Sequence, residues 1–225
     1  MAHKKENVTF DENEIKKAEL RCEKILAGIA TETDCEIVKE QLGRFPRGMV
    51  AVGRRCACGN PLATVTRAKL EDGTPFPTTF YLCSPQAVRA VSKVEANGHM
   101  KRFNELLASD MTVAAEYRKA HREYLAFRHV LAQKFGDDEE HISGISAGGM
   151  PDRVKCLHAL IAQSLSMGRG VNPIGDMTLD MVKNEFDPDV CRCEIPFRER
   201  EQFGFDGNFD GKSDGKSDSR SESGS

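Results

Sequence analysis

The sequence predicts an α+β fold in which several helices cover a small antiparallel three-stranded sheet, followed by a disordered C-terminal tail. Three observations predict it. Apolar residues recur at three- and four-residue steps on both sides of the region 49–83, as in amphipathic helices. That region itself contains three short β-branched or alternating runs joined by turn residues, which is typical of a meander. From residue 199 onward the chain is polar and rich in Gly, Ser, Asp and Lys, so it cannot bury a core.

The composition bounds the class of protein. A chain of 225 residues is long enough for one domain, expected over 11–198, with a flexible stretch 1–10 and the tail 199–225. A net charge of −3 leaves no overall positive surface for nucleic acid or an anionic membrane. No apolar run approaches the ~20 residues that span a bilayer, and the first residues lack the apolar core of a signal peptide. We therefore expect a cytoplasmic protein without a membrane or nucleic-acid partner.

The elements before and within the sheet follow from caps and turn residues. Asp11 is placed to cap an amphipathic helix that runs to about Ile29. Thr33 or Asp34 is expected to cap a short second helix, which Gly43 ends. The strands are predicted over 49–56, 63–69 and 78–83, with a turn-rich link over 71–77.

The rest of the chain predicts helices. Ser84 followed by proline is a helix start, and Gly98 is a stop. Further helices are predicted over 100–107, 110–135, 151–167 and 176–184. The helix from 151 is expected to start at Pro151, and Asn172 is expected to lie in a turn before a cap at Asp176.

The cysteines are the main signal for function. Eight cysteines is a high count for a cytoplasmic chain, where disulfides are rare and clustered cysteines favour metal or redox chemistry. The first and third strands of a meander end at the same edge, and both predicted strands end in cysteine. Thiolate and imidazole are ligands that zinc prefers. The sequence therefore predicts a metal site, with zinc as the candidate cofactor, formed by Cys56, Cys58, Cys83, Cys156 and His158.

One geometric objection applies to this ligand set. On a regular helix, residues two apart point about 200° away from each other. Cys156 and His158 then face opposite sides, so either only one is a ligand or the helix is irregular there. The alternative is a set of reduced cysteines near a small core, with His158 hydrogen-bonded.

Two further possibilities concern the Cys-x-Cys pairs. Cys56 or Cys58 is a candidate redox or nucleophilic cysteine, because the two arginines directly before them would lower a thiol pKa. Cys191 and Cys193 form a second pair near the tail and are candidate extra ligands.

A glycine turn offers a different kind of site. Gly148 and Gly149 precede the predicted helix start, where free backbone N–H groups favour an anion. Arg153 and Lys155 add positive charge. These four residues are a candidate anion-binding site for a phosphate or a carboxylate, and the alternative is an ordinary helix entry with solvated cations.

The candidate catalytic residues are histidines. His158 is one, and His121 lies in a stripe with Tyr117, Tyr124 and Arg128 that lines a cleft or forms a packing seam. With an anion-binding turn, either histidine would suit a small hydrolase or transferase acting on a phosphorylated or carboxylated substrate. The third possibility is an interaction protein without a small-molecule site.

Several motifs resemble one bacterial family, common in actinobacteria and known as a domain of unknown function (DUF501). They are Leu-Gly-Arg-Phe-Pro-Arg-Gly, Arg-Cys-Ala-Cys-Gly-Asn-Pro, Asp-Gly-Thr-Pro-Phe-Pro-Thr, Tyr-Leu-Cys-Ser-Pro and Gly-Gly-Met-Pro-Asp-Arg-Val-Lys-Cys-Leu-His-Ala-Leu. The resemblance covers about 38–182 and implies a pairing of Cys56, Cys83 and Cys156 with His158. It implies no known reaction. The family context implies a link to cell-division or polyphosphate-related proteins.

Overall fold

The computed structural model describes residues 8–195 and confirms the α+β fold. The helices are α1 (Glu12–Leu26), α2 (Glu32–Leu42), α3 (Pro85–Ala96), α4 (His99–Ser109), α5 (Met111–Phe135), α6 (Leu157–Met167) and α7 (Pro173–Val182). The strands are β1 (Met49–Arg55), β2 (Pro61–Thr66) and β3 (Phe80–Leu82). Within the described residues, no helix has the length and apolar character needed to cross a membrane.

The two ends of the chain bear on the predicted domain bounds. Val8 and Phe10, in the stretch predicted to be flexible, pack against the core. Residues 1–7 and the tail predicted over 199–225 lie outside the described residues.

The sheet is the predicted meander, with strand order β1-β2-β3 and both pairs antiparallel. The central strand β2 is buried along its whole length, and its Ala63 pairs with Arg54 on one side and Leu82 on the other. Helix α6 contacts all three strands, and its Leu160 and Ile161 are fully buried. The core therefore lies between the sheet and α6.

Side-chain caps set most helix starts. Asp11 and Glu14 form a capping box at α1, as the cap at Asp11 predicted. Thr31 and Asp34 form a second capping box, so α2 begins earlier than predicted. Ser84 caps α3 with proline in the first turn, as predicted.

Two predicted boundaries were wrong. The helix predicted from Pro151 begins at Leu157, because the preceding stretch is held in turns in which the Gly148 carbonyl accepts the N–H groups of residues 155 and 156. Asn172 is not part of a separate turn before the helix. Its side chain caps α7, which therefore begins before Asp176. Pro151 was predicted to open a helix but lies before it, and Pro173 was predicted to lie in a turn but opens a helix.

The polar stripe on α5 is a packing seam. Tyr117, Tyr124 and Arg128 are all buried, and Arg128 is only 1% exposed. The Arg128 guanidinium donates to Glu139 at 2.7 Å and to backbone carbonyls within 142–145. These bonds satisfy the buried charge and fasten the following loop to α5.

Candidate functional site

The first cysteine pair lies in a tight turn between β1 and β2. The Cys56 N–H donates to the Asn60 carbonyl and the Gly59 N–H donates to the Cys56 carbonyl, both at 2.8 Å. Gly59 has a φ of 105°, which side-chain-bearing residues rarely adopt, so glycine permits the turn. The turn brings the sulfur atoms of Cys56 and Cys58 within 4.8 Å of each other.

The second cysteine pair, Cys191 and Cys193, lies in an irregular segment after α7. Side chains from the sheet and from α3 hold this segment in place. The contacts are Arg54 to the Asp189 carboxylate at 2.5 Å, Gln86 to the Arg192 carbonyl at 2.7 Å, and Asn60 to the Ile195 carbonyl at 2.8 Å. The segment 187–195 is thereby brought against the β1–β2 turn.

The four sulfur atoms form a compact group, which we call the four-cysteine group: Cys56, Cys58, Cys191 and Cys193. All four lie within 4.8 Å of one another. The Cys193 sulfur is 3.7 Å from that of Cys58 and 3.8 Å from that of Cys56. A tetrahedral zinc site with Zn–S bonds of about 2.3 Å has sulfur–sulfur edges of about 3.8 Å. The group therefore has the donor set and spacing of a closed tetrahedral thiolate site.

The electrostatics of this group differ from the prediction. Burial raises the pKa of both Cys56 and Cys193. The arginines expected to lower a thiol pKa are engaged elsewhere, because Arg55 pairs with Asp34 at 2.6 Å and Arg54 pairs with Asp189. The reason for predicting a nucleophile at Cys56 or Cys58 is therefore removed, and a metal that binds here must displace thiol protons.

A second group lies elsewhere and contains Cys156, His158 and Glu95. Cys156 is the residue before α6 and has extended backbone angles, φ −155° and ψ 111°, so helical spacing does not separate it from His158. The Cys156 sulfur is 3.9 Å from His158 Nδ1. Glu95 Oε1 is 3.2 Å from the same nitrogen and accepts the Leu157 N–H at 2.6 Å.

The other ring nitrogen of His158, Nε2, faces a backbone carbonyl and a hydroxyl group. Nε2 lies 3.3 Å from the Val88 carbonyl and 3.2 Å from the Ser92 hydroxyl. The Cys156 sulfur raises the pKa of His158; burial opposes this rise, and Glu95 adds to it. For Cys156, burial favours the neutral thiol, but the hydrogen bond with His158 and the backbone N–H of residue 159 outweigh it, so the pKa of the thiol is lowered.

This second group borders a cavity of about 620 Å³. Cys156, His158 and Gly148 lie in its wall. Most of the remaining wall is apolar and includes Leu42, Phe80, Leu82, Val88, Ala147 and Ala159. The thiol and the imidazole are therefore both accessible from one mainly apolar space.

The predicted metal ligands do not form one site. The four-cysteine group takes two of them, the second group takes Cys156 and His158, and Cys83 belongs to neither of the two groups found in the described residues. Cys83 is fully buried, and its N–H donates to the Leu62 carbonyl. The Cys-x-Cys spacing of Cys191 and Cys193 was the signal for the two sulfur atoms that complete the four-cysteine group. Glu95 had no such signal, because it is one carboxylate on an amphipathic helix.

The predicted anion site depends on a helix start that lies elsewhere. Gly148 and Gly149 have φ values of 72° and 95° and form a turn, but the helix begins only at Leu157. The side chains of Arg153 and Lys155 are exposed. The glycine turn therefore does not open the helix directly; its Gly148 carbonyl instead accepts the N–H groups of residues 155 and 156 just before α6, and the anion site stays a prediction.

The two candidate catalytic histidines line different cavities. His121 borders a cavity of about 560 Å³ beside α1, and its Nδ1 lies 2.8 Å from the Ser146 hydroxyl. Burial, and then the nearby Arg128 charge, lower the pKa of His121. His158, with a raised pKa, lies in the cavity that contains a cysteine.

Comparison with known proteins gives one match. The family model described as "Protein of unknown function (DUF501)" matches residues 52–180. No curated protein and no solved structure matches the chain.

Proposed function

The chain belongs to the DUF501 family, and we propose that it binds one zinc ion through the four-cysteine group. The observation that carries this proposal is the spacing of the four sulfur atoms, with two edges of 3.7 and 3.8 Å. Those lengths agree with the edge of about 3.8 Å in a tetrahedral zinc–thiolate site. The proposed compartment is the cytoplasm, where a reducing environment keeps thiolates available to a metal.

We propose a structural role for the ion. Four protein thiolates fill a tetrahedral zinc site and leave no position for a substrate. The ligands come from two places that are far apart in sequence, the β1–β2 turn and the segment 187–195. A metal bound by both would join the end of the domain to the sheet.

The β1–β2 turn, which carries two of the four cysteines, is held in place by protein contacts without the ion. Arg55 bonds the Gly59 carbonyl at 3.1 Å and the buried Asp34 carboxylate at 2.6 and 2.8 Å. The turn carrying Cys56 and Cys58 is therefore fixed to α2 by protein contacts alone. The contacts that hold the segment 187–195 are single side-chain hydrogen bonds from Arg54, Asn60 and Gln86, so it is the part that would depend on the metal.

Metal content tests the proposal. Protein is purified without an affinity tag under reducing conditions, and its metals are measured by elemental analysis. We expect about one equivalent of zinc in the wild type, and none in the double variant Cys58→Ser/Cys193→Ser. Cys35→Ser is the matched control, because Cys35 is half-buried on α2 and belongs to neither cysteine group.

Two results would overturn the zinc centre. One is the absence of metal from the reduced wild-type protein. The other is metal that persists in the double variant but disappears in Cys156→Ser, which would place the ion in the second group. Iron in place of zinc would keep the ligands and change the metal, because four thiolates also suit iron.

A further inference from the structure

We propose that Cys156 is a catalytic thiolate, paired with His158, that takes the acyl group of a small ester or thioester bound in the adjacent cavity. Glu95 is a positioning residue that holds the imidazole. This activity goes beyond the proposed zinc centre and does not depend on it, since the two groups share no residue.

The hydrogen bonds of His158 indicate a charged ring. A carbonyl can only accept, so the ring nitrogen facing Val88 at 3.3 Å carries a proton. The other nitrogen faces two acceptors, the Glu95 carboxylate at 3.2 Å and the Cys156 sulfur at 3.9 Å. The Nδ1 nitrogen can donate to these two acceptors only when it, too, carries a proton. The ring is then an imidazolium placed between two groups that are stable as anions beside it.

The position of Cys156 favours its thiolate. It precedes the first residue of α6, where the helix dipole stabilises negative charge, and the backbone N–H of residue 159 also favours the thiolate. The neighbouring imidazolium adds to this effect, and the lowered pKa of the thiol agrees with it. A thiolate, unlike a thiol, is a strong nucleophile. In the four-cysteine group, by contrast, burial raises the pKa of Cys56 and of Cys193.

The cavity suits a small apolar acyl compound. Its volume of about 620 Å³ lies within the roughly 300–1,000 Å³ that is usual for small-molecule sites. Its polar lining includes Tyr81, whose hydroxyl accepts from Arg44 at 3.2 Å, and the exposed Arg89. The apolar walls fit an acyl chain, and the Arg89 guanidinium fits a polar or anionic leaving group.

The reaction has two steps that balance with water alone. In the first, the Cys156 thiolate attacks the carbonyl carbon, a C–S bond forms, and the bond to the leaving group breaks. The leaving alcohol or thiol takes a proton from the His158 imidazolium. In the second, neutral His158 removes a proton from water, which attacks the thioester. The carboxylic acid leaves, and the thiolate and the imidazolium are restored.

Two probes test this activity without knowledge of the natural substrate. Alkylation by iodoacetamide is followed between pH 5 and 9, and mass spectrometry locates the modified cysteine. p-Nitrophenyl acetate is then supplied as an ester, and the acetylated residue is located in the same way. We expect Cys156 to react with iodoacetamide at least about ten-fold faster than Cys35 at pH 7, because an ordinary thiol is mostly protonated there. We also expect acetylation at Cys156 with release of nitrophenolate.

Variants separate nucleophilicity from folding. His158→Gln should move the alkylation profile of Cys156 to higher pH and lower its rate at pH 7 about ten-fold, with circular dichroism unchanged. Cys156→Ser should lose acetylation and keep its zinc, which separates this result from a failure of the four-cysteine centre. Cys35→Ser, the control, should change neither probe.

Several outcomes would overturn the thiolate. One is alkylation of Cys156 no faster than that of Cys35, and another is a profile that His158→Gln leaves in place. Fast alkylation without acetylation would exclude acyl transfer. Reaction that begins only after a chelator is added would mean that a metal, and not a proton, lies between Cys156, His158 and Glu95.

Discussion

The two cysteine groups use similar side chains and differ in what balances their charge. In the four-cysteine group, burial raises the pKa of Cys56 and of Cys193, and the pocket beside these two residues has a volume of only about 10 Å³. The second group has one thiol, a histidine with a raised pKa and a cavity of about 620 Å³. Beside the first group, the described side chains of Arg54 and Arg55 pair with the carboxylates of Asp189 and Asp34. The second group contains its own cationic side chain, His158.

A metal site and a reactive thiol differ in where the balancing positive charge comes from. Four sulfur atoms in contact cannot all ionise without a cation, because like charges at such distances repel strongly. A metal ion supplies that cation and fills the space. An imidazolium beside one sulfur supplies it internally and leaves the sulfur open to a substrate. The predictions below act on one group and leave the other as the reference.

Removal of the metal should produce the largest change. A strong chelator under reducing conditions should lower the Tm of the wild type by roughly 10 °C, since a ligand at about 1,000 times its Kd stabilises by about 4 kcal/mol. Hydrogen exchange should accelerate within 187–195. Cys58→Ser/Cys193→Ser should already have the lower Tm and show no response to the chelator. An unchanged wild-type Tm would mean that the ion has no structural role.

Gly149→Ala should disturb only the side of the molecule that carries Cys156. Gly149 has a φ of 95°, and an added Cβ would collide with the Arg153 carbonyl. We expect a loss of about 3 kcal/mol in the free energy of unfolding, measured in urea, with zinc content unchanged. Gly98→Ala is the control for backbone strain alone, because its φ is 77° and nothing lies within 4 Å of its Cβ position. Equal losses in both variants would show that the collision adds nothing.

Asn60→Ala should weaken the four-cysteine group without removing a ligand. Asn60 donates to the Ile195 carbonyl at 2.8 Å. Burial raises the pKa of Cys193, and a hydrogen bond with the Asn60 side chain partly opposes that rise. Groups that orient metal ligands in this way typically change metal affinity 10- to 100-fold, roughly. Competition with a coloured chelator measures the change. The exposed Asn97→Ala should retain wild-type affinity, and so should Asn60→Ala if its contacts do not orient Cys193.

The fold was largely predictable, because caps and periodic patterns act locally. Asp11, Ser84 and Gly43 mark helix ends through hydrogen bonds or backbone angles that involve near neighbours in sequence. The start of α6 was not predictable in this way. Pro151 is compatible with a helix start, but the Gly148 carbonyl captures the following N–H groups in a turn. That competition depends on the packing of the glycine turn against α6.

The ligands were harder to predict than the helices, because they come together through tertiary contacts. The rule that separates Cys156 from His158 holds only inside a helix, and Cys156 lies just before one. Cys191 and Cys193 lie in the irregular segment 187–195, next to the polar tail in sequence. Gln86 and Asn60 hold that segment through its backbone carbonyls, and no sequence pattern reveals such bonds.

Glu95→Gln should have the smallest effect, because it changes only the charge beside His158 and leaves the four-cysteine group as it is. In the wild type the Cys156 sulfur raises the pKa of His158, burial opposes the rise, and the Glu95 charge adds to it. The variant should therefore have a lower His158 pKa, which NMR titration of the ring measures. Because the pKa is raised in the folded state, protonated His158 stabilises the fold fully below the unfolded pKa of about 6.5, and this stability is lost as pH rises through the raised value.

The stability difference between wild type and Glu95→Gln should accordingly be larger at pH 6 than at pH 9. We expect at most about 1 kcal/mol, because both side chains retain some solvent exposure. Urea unfolding at the two pH values measures it, and zinc content should be the same in both proteins. A His158 pKa that does not move would mean that the Cys156 sulfur alone holds the ring charged. Glu95 would then serve only the Leu157 N–H, which it accepts at 2.6 Å.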